Sequence, residues 1–291
     1  MKILVTGAAG KLGKAVCSAA AGQYDVVAFD LTRAETVAEA EWVVGDVRDL
    51  DALRRAARGC GAIVHTAALL DRFIGKRPRS EFFEINVTGT DNVFQVALEE
   101  GIEKVVYSSS TEVYGTDWRE FGALLLDEDY PVHPKTIYGL TKYLAEGVAH
   151  SYARYHGMRV ACLRYMTFNE KPPEKLGLGL VARYLWVRDV AEANLACVAS
   201  DRIEDEIFLI GPLTPLTQVD VVEAVWNPEA VLERHWPGSV ELLKQAGVKI
   251  EPERLYPVVS ISRARRMLDW TPSYTFADYL EHLRSSAQAR T

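Results

Sequence analysis

A glycine-rich turn at the start of the chain limits the possible folds more than any other feature. An apolar run at residues 3–6 leads into TGAAGKLG, and a helical pattern follows. Gly7 permits a tight strand-to-helix turn, Gly10 lets a ligand approach the backbone, and Gly13 lets the helix pack closely on the strand. Because a helix N-terminus presents free N–H groups and positive dipole, such a turn is typical of a pyrophosphate site. The sequence therefore predicts a dinucleotide-binding unit here.

Short β-branched runs alternate with helical patterns through the first two thirds of the chain. Predicted strands cover residues 3–6, 26–30, 42–44, 62–66, 104–108, 159–165 and 206–210, and predicted helices cover 49–58, 79–100 and 138–156. Near-continuous apolar strands separated by helices indicate a parallel sheet that is covered on both faces. Right-handed crossovers then predict an α/β fold with a doubly wound parallel Rossmann sheet.

The last third of the chain differs, since it combines several prolines with short helical patterns. We predict that residues 1–165 together with 184–212 form the Rossmann domain. Residues 166–183 together with 213–291 are predicted to form a small C-terminal α/β subdomain that covers the substrate.

Composition excludes several classes of partner. The net charge of −7 disfavours nucleic acid and anionic membrane surfaces. The four cysteines form no CxxC pair and the six histidines have no metal-ligand spacing, so no metal site is predicted. No apolar run reaches the length of a membrane span. The N-terminus lacks a signal-peptide pattern, which predicts a cytoplasmic protein.

Asp30 closes the second predicted strand, where its carboxylate can bind the ribose hydroxyls of a dinucleotide. This charge favours NAD, because it would repel the 2′-phosphate of NADP. The positive charges of Lys11 and Arg33 leave NADP as the less favoured alternative. Asp46 follows the third predicted strand, where it can contact adenine, but it is equally suited to cap the helix at 49–58.

Tyr138 and Lys142 are spaced i, i+4, which places them on one helix face about 6 Å apart along the axis. A nearby ammonium lowers the pKa of a tyrosine, and such a phenol can accept a proton from an alcohol. Ser110 follows the strand at 104–108, at the carboxyl edge of the sheet where ligands bind. Its hydroxyl can bond a substrate oxygen. No GxSxG elbow is present, which disfavours a serine nucleophile.

Seven segments together resemble one known family. In chain order they are TGAAGKLG, GDV, HTAAL, NVTGT, SSSTEVYG, PKTIYGLTK and RARRMLDWTP. They resemble the extended short-chain dehydrogenase/reductase family, also called the NAD-dependent epimerase/dehydratase family. The resemblance implies that Ser110 orients the substrate, that Tyr138 is the acid/base, and that Lys142 binds the nicotinamide ribose. It also implies a homodimer formed through the helices at 79–100 and 138–156.

The resemblance further implies a set of cofactor contacts spread over the ends of the predicted strands. These are Gly7, Gly10, Lys11, Leu12, Gly13, Asp30, Asp46, Val47, Thr66, Ala67, Ala68, Asn86, Ser108, Tyr138, Lys142 and Tyr165.

The chain departs from the family pattern around the substrate. Where dehydratases of the family carry an acidic pair, this chain has Thr111 and Glu112, which disfavours dehydration because threonine cannot protonate a leaving hydroxyl. Thr167 stands where the epimerases carry an asparagine, and the stretch between Phe168 and Trp186 is short. A free sugar, sugar acid or sugar phosphate therefore becomes a plausible substrate.

The predicted substrate contacts are Arg72, Thr111, Glu112, Thr167 and Trp186. Arg72 lies in a basic loop that is better explained as a solvated surface, because charged residues are usually exposed. The function that we expect is epimerase-type hydride transfer at a secondary alcohol of a sugar-type substrate, including a nucleotide sugar. One alternative is an NAD-dependent dehydrogenase of a free sugar, sugar acid or sugar phosphate. A non-catalytic NAD-binding scaffold is the other.

Overall fold

The computed structural model describes residues 1–37, 40–115 and 125–288. Its strands are β1 (Lys2–Thr6), β2 (Asp25–Asp30), β3 (Glu41–Val44), β4 (Ala62–His65), β5 (Lys104–Ser110), β6 (Leu125–Leu126), β7 (Arg159–Tyr165), β8 (Thr167–Asn169), β9 (Tyr184–Trp186), β10 (Asp205–Ile210) and β11 (Val258–Val259).

The helices that carry or support the site are α1 (Lys11–Ala20), α2 (Leu50–Ala57), α3 (Arg79–Phe83), α4 (Gly89–Glu99), α5 (Ile137–His156) and α6 (Val187–Ala199). The described residues of the last third add five α-helices, namely α7 (Gln218–Glu223), α8 (Pro228–His235), α9 (Ser239–Gln245), α10 (Ser262–Leu268) and α11 (Phe276–Gln288).

Seven strands form one parallel sheet in the order β10-β7-β5-β4-β1-β2-β3. The chain winds outward in one direction from β1 to β3 and in the other direction from β4 to β10. In such a sheet a crevice opens at the carboxyl ends of the strands where the winding reverses, which here lies between β1 and β4. The predicted doubly wound Rossmann sheet is confirmed.

Two hydrophobic clusters cover the two faces of this sheet. One includes Ile3, Val5 and Val16 with α6, and the other includes Leu4, Leu53 and Phe94. Alternate residues of β1 therefore point to opposite faces, and both faces are buried, as expected for a parallel sheet.

A third cluster lies apart from the sheet and draws its residues mainly from 176–182 and from 216–283. It includes Leu178, Leu232 and Phe276, all buried. These residues fall within the segments that the sequence assigns to a second domain. Within those segments, however, Leu268 and Trp270 pack with the large-sheet core instead.

Several element bounds differ from those expected. Strand β5 continues to Ser110 rather than ending at residue 108, and the helix expected at 79–100 is interrupted by a wider π-type turn at Glu84–Thr88. Helix α5 begins one residue early, at Ile137, because the Thr136 hydroxyl accepts a hydrogen bond from Gly139 N and caps it. Within the described ranges, no helix combines the length and hydropathy needed to cross a bilayer.

Candidate active site

A cleft of about 630 Å³ opens at the carboxyl ends of the sheet strands. Its walls come from the segments that follow β1, β2, β3, β4, β5 and β7, so it lies at the crevice expected for a doubly wound sheet. This volume falls in the range of small-molecule and cofactor sites. The predicted cofactor and catalytic segments therefore meet in one space.

The glycine turn forms one end of the cleft. Gly7 has a φ of +70°, a conformation that favours glycine, and a Cβ at Gly13 would lie 2.1 Å from Gly7 O. Lys11, Leu12 and Gly13 open helix α1, which points its N-terminus at the cleft. The turn is therefore a backbone cradle that only glycine can form, and it fits a diphosphate.

Asp30 lies beside the glycine turn and is fixed by two backbone donors. Its Oδ2 accepts a hydrogen bond from Ala9 N at 2.9 Å, and its Oδ1 accepts one from Leu31 N at 2.6 Å. The carboxylate therefore stands at the edge of the cleft next to the turn, where the sequence placed it.

Asp46 also lines the cleft, together with Val47, but it does not cap helix α2. That role belongs to Asp49, whose side chain accepts hydrogen bonds from Asp51 N and Ala52 N, so the capping alternative for Asp46 is wrong. Asp46 is instead held by Arg48, with an Nη2 to Oδ2 distance of 2.7 Å. These hydrogen bonds and the guanidinium charge lower the pKa of the Asp46 carboxyl.

The segment after β4 forms the middle of the cleft. Thr66, Ala67 and Ala68 line it, and the Thr66 hydroxyl donates to Thr6 O at 2.7 Å. A Cβ at Gly7 would lie 2.6 Å from Ala67 N, so the two loops touch through their backbones. This close approach explains why glycine is required at the first turn position.

Ser110, Tyr138 and Lys142 all line the cleft at the end opposite Asp46. Lys142 is 2% exposed, and its Nζ donates to Ser108 O at 2.6 Å. Ser108 and Tyr165 line the same wall, and their hydroxyl oxygens lie 3.2 Å apart. The three predicted catalytic side chains are thus brought together at the carboxyl end of β5.

The pKa values of Tyr138 and Lys142 differ from those expected from the sequence. Burial raises the pKa of Tyr138, and a hydrogen bond with Ser110 only partly offsets that rise. Burial also lowers the pKa of Lys142 to about 7, against the opposing charge of Glu146. The expected lowering of the Tyr138 pKa by Lys142 is not found, because desolvation dominates and the Lys142 ammonium is directed to the Ser108 carbonyl.

On the predicted substrate side, Arg72, Thr111, Glu112 and Thr167 line the cleft. The Thr111 hydroxyl donates to Tyr165 O at 3.1 Å, so it holds the wall together. Desolvation and the charge of nearby Asp71 raise the pKa of Glu112. These groups form a polar rim beside Tyr138.

Two predicted contacts do not line the cleft. Asn86 is buried behind it, where its Oδ1 accepts from Leu69 N at 2.7 Å and its Nδ2 donates to Thr141 Oγ1 at 3.0 Å. It supports the wall through Leu69 rather than touching a ligand. Trp186 ends β9 and packs between two hydrophobic clusters, with the Arg188 guanidinium 5.7 Å from its ring centroid.

Sequence reasoning missed several residues of the site. The apolar lining of the cleft includes Leu69 and Phe73, which pack with Tyr138, and also Met166 and Phe168. One feature of the sequence could have identified these residues: they are apolar side chains in loops that follow predicted strands. Across the described ranges, no group of three or more histidine, cysteine or acidic side chains is arranged to hold a metal ion.

Comparison with known proteins agrees with this geometry. Residues 3–170 match the model of the NAD dependent epimerase/dehydratase family. A UDP-glucose 4-epimerase of Rhizobium meliloti is 26% identical, over 96% of this chain and 94% of its own. An L-arabinose 1-dehydrogenase (NAD(P)(+)) of Haloferax volcanii is 30% identical, over 64% of this chain and 77% of its own.

A solved UDP-glucose 4-epimerase of Thermotoga maritima superimposes over the whole of both chains with a TM-score of 0.73. Its identity is 21%, so this likeness establishes the fold alone. The family match, by contrast, covers more than half of the chain and includes the glycine turn, Ser110 and the Tyr138/Lys142 helix. The chain therefore belongs to the NAD dependent epimerase/dehydratase family and is an enzyme of the extended short-chain dehydrogenase/reductase type.

Proposed function

We propose that this enzyme carries out reversible, NAD-dependent hydride transfer at a secondary alcohol of a sugar-type substrate, in an epimerase-type reaction. One observation carries the proposal: Ser110, Tyr138 and Lys142 line the same cleft as the glycine turn. A UDP-glucose 4-epimerase that is related over nearly the full chain supports the epimerase assignment.

In this proposal the residues of the chain handle the oxygen and the proton. Ser110 holds the substrate oxygen, and the buried neutral phenol of Tyr138 gives its proton to that oxygen in reduction and takes it back in oxidation. Lys142 supplies positive charge next to the phenol when it is protonated. Bound NAD supplies the hydride acceptor and donor, and Gly7, Gly10 and Gly13 would hold its diphosphate.

We also propose NAD rather than NADP as the cofactor. Asp30 is held against the turn by Ala9 N and Leu31 N, which fixes a negative charge at the cleft edge. A 2′-phosphate placed there would be repelled, whereas two ribose hydroxyls can donate to the carboxylate.

Replacing Tyr138 with phenylalanine tests the catalytic assignment. Purified enzyme is incubated with NAD and UDP-glucose, L-arabinose or glucose 6-phosphate, while both sugar products and reduced nicotinamide are followed. Loss of the acid/base should reduce turnover by about 10²-fold or more. Tyr155→Phe, on the same helix but 75% exposed, is the matched control. If Tyr138→Phe keeps wild-type turnover, the acid/base assignment of Tyr138 is wrong; if the wild type turns over none of these sugars although it binds NAD, a non-catalytic scaffold becomes the better description.

The same assay distinguishes an epimerase from a dehydrogenase. Conversion of the sugar without net NADH indicates an epimerase. Accumulation of NADH in proportion to product indicates a dehydrogenase.

A second candidate is a dehydrogenase of a small anionic sugar, and Arg72 is the observation that favours it. Arg72 lines the cleft and its guanidinium lies 5.1 Å from the Phe73 ring centroid. Within the described part of the chain, no carboxylate pairs with it, whereas Arg77 is bound to Glu81 at 2.6 Å. A free guanidinium on a cleft wall suits a carboxylate or phosphate.

Arg72→Gln tests this candidate, with the exposed Lys76→Gln in the same loop as the control. We expect KM for galacturonate or glucose 6-phosphate to rise about tenfold, which corresponds to about 1.4 kcal/mol, with little change for L-arabinose. An equal effect on charged and neutral sugars would remove the candidate.

We further propose a homodimer that pairs through α4 and α5. Leu98 on α4 and Tyr143 and Leu144 on α5 are large apolar side chains that are 40%, 44% and 39% exposed. Pairing of these helices with a second copy would bury them.

A further inference from the structure

A buried ion pair lies next to the turn that carries Ser110. Arg164 of β7 donates from Nε to Glu146 Oε1 at 2.9 Å and from Nη2 to Oε2 at 2.8 Å. The two side chains are 3% and 2% exposed. Burying such a pair is costly, and apolar residues of similar volume often give equal or greater stability. Stability is therefore a weak explanation for its presence.

The pair is connected to the segments around the catalytic group. The Ser109 hydroxyl donates to Glu146 Oε1 at 2.5 Å, and Ser109 directly precedes Ser110. Arg164 Nη1 donates to the Tyr114 hydroxyl at 2.8 Å, at the far end of the turn Thr111–Tyr114. One buried pair thus holds both ends of the segment that presents Ser110.

The same pair also reaches the helix that carries the other two catalytic residues. Glu146 lies on α5 at i+4 from Lys142 and i+8 from Tyr138, so the three side chains share one helix face. Arg164 Nη1 also donates to Glu128 O at 3.3 Å, in the loop that leads to α5. In addition, the charge of Glu146 opposes the loss of the Lys142 proton.

We propose that Glu146 and Arg164 are positioning residues, which fix the Ser110 turn and the Tyr138/Lys142 helix relative to each other. This inference rests on the proposed function. The pair touches neither substrate nor cofactor in this proposal, because neither residue lines the cleft. It acts through Ser109, Tyr114 and the helix backbone.

The double variant Glu146→Leu/Arg164→Met is the main test, because it removes both charges and leaves neither one buried without a partner. We expect a folded enzyme whose Kd for NADH is unchanged, since the glycine turn lies at the other end of the cleft. With UDP-glucose as the probe, kcat should fall at least tenfold. Amide hydrogen exchange in residues 108–114 should become at least tenfold faster, while exchange in residues 7–14 stays the same.

Single-contact variants test the proposal without disturbing the pair. Ser109→Ala removes the link from Glu146 to the turn, and Tyr114→Phe removes the link from Arg164. Each should lower kcat about threefold and leave the Kd for NADH unchanged.

A matched control separates positioning from general stabilisation. Lys104 is also buried, and its Nζ donates to Val198 O and Ser200 O, each at 2.7 Å, away from the cleft. Lys104→Met should lower the Tm and leave kcat unchanged. A folded double variant with wild-type kcat and wild-type exchange would overturn the proposal, as would an equal loss of kcat in Lys104→Met.

These outcomes are distinguishable from a failure of the proposed function. If Tyr138→Phe keeps its turnover, the catalytic assignment itself fails. If Tyr138→Phe is inactive but the double variant is fully active, only the positioning role of Glu146 and Arg164 is lost.

Discussion

His65 should make the free energy of unfolding depend steeply on pH below neutrality. Its side chain is completely buried at the end of β4, with Nδ1 2.7 Å from Thr6 Oγ1 and Nε2 3.0 Å from Thr90 Oγ1. The Thr90 hydroxyl donates to Asn86 O at 2.6 Å, so Nε2 must be the donor to Thr90. Nδ1 then accepts from the Thr6 hydroxyl. The neutral imidazole is therefore satisfied at both nitrogens.

The size of the effect follows from the pKa of this ring. Burial, together with the charge of Lys142, lowers the pKa of His65 from 6.5 to about 3. Between these values the unfolded chain binds the proton and the folded chain does not, so the free energy of unfolding falls as the pH falls. The slope approaches about 1.4 kcal/mol per pH unit only once the unfolded histidine is mostly protonated, so lowering the pH from 6.5 to 4.5 should cost about 2 kcal/mol.

Urea unfolding of the wild type and of His65→Asn, measured across this pH range, tests the reasoning. Asparagine can donate and accept but does not titrate, so the variant should be less stable at pH 7 and should lose about 2 kcal/mol less on acidification. His156→Asn, at an exposed site, should follow the wild type. Parallel pH curves for wild type and His65→Asn would refute the assignment.

Three further outcomes are expected. Gly13→Ala should weaken NADH binding at least tenfold in a fluorescence titration, because the added methyl would lie 2.1 Å from Gly7 O; this clash outweighs the gain in helix propensity of about 1 kcal/mol. Asp30→Ser should shift the Kd ratio of NAD to NADP about tenfold toward NADP, and an unchanged ratio would contradict the proposed role of the carboxylate. Leu144→Glu should convert a dimer into a monomer in light scattering at micromolar concentration, and a monomeric wild type would remove the dimer proposal.

The large sheet could be predicted from sequence because its central strands are buried on both faces. Strands β1, β4 and β7 are mostly apolar and buried, and all seven strands lie within two residues of their predicted bounds. The short pairs β8–β9 and β6–β11 have only two or three residues per strand, so they leave no periodic signal. The π-type turn at Glu84–Thr88 was also invisible, since it changes the helix geometry without changing the apolar pattern.

The parts of the site that could be predicted are those that a short stretch of sequence specifies by itself. The glycine turn and the Tyr138/Lys142 spacing are local patterns, and both lie in the cleft. The Glu146–Arg164 pair depends on contacts between a helix and a strand, which no local pattern specifies. A signal was nevertheless present, because Arg164 interrupts the apolar run VACLRY, and a charge within a buried strand requires a partner. The raised pKa of Tyr138 depends on burial, which spacing does not reveal.

The buried polar residues behind the cleft connect its two halves. Thr6 closes the strand that enters the glycine turn, and it is bonded through His65 to Thr90, which donates to Asn86 O. The Asn86 side chain donates in turn to Thr141, the residue before Lys142. Thr90 already accepts from Nε2, so protonation of His65 would force Thr6 to change from donor to acceptor, which breaks the chain at its link to the glycine turn. The folded chain takes up this proton only near pH 3, so between pH 6.5 and 4.5 the network of each folded molecule stays intact. Over that range turnover should therefore fall only in proportion to the folded fraction, and the cofactor turn and the catalytic helix should be lost together, on unfolding.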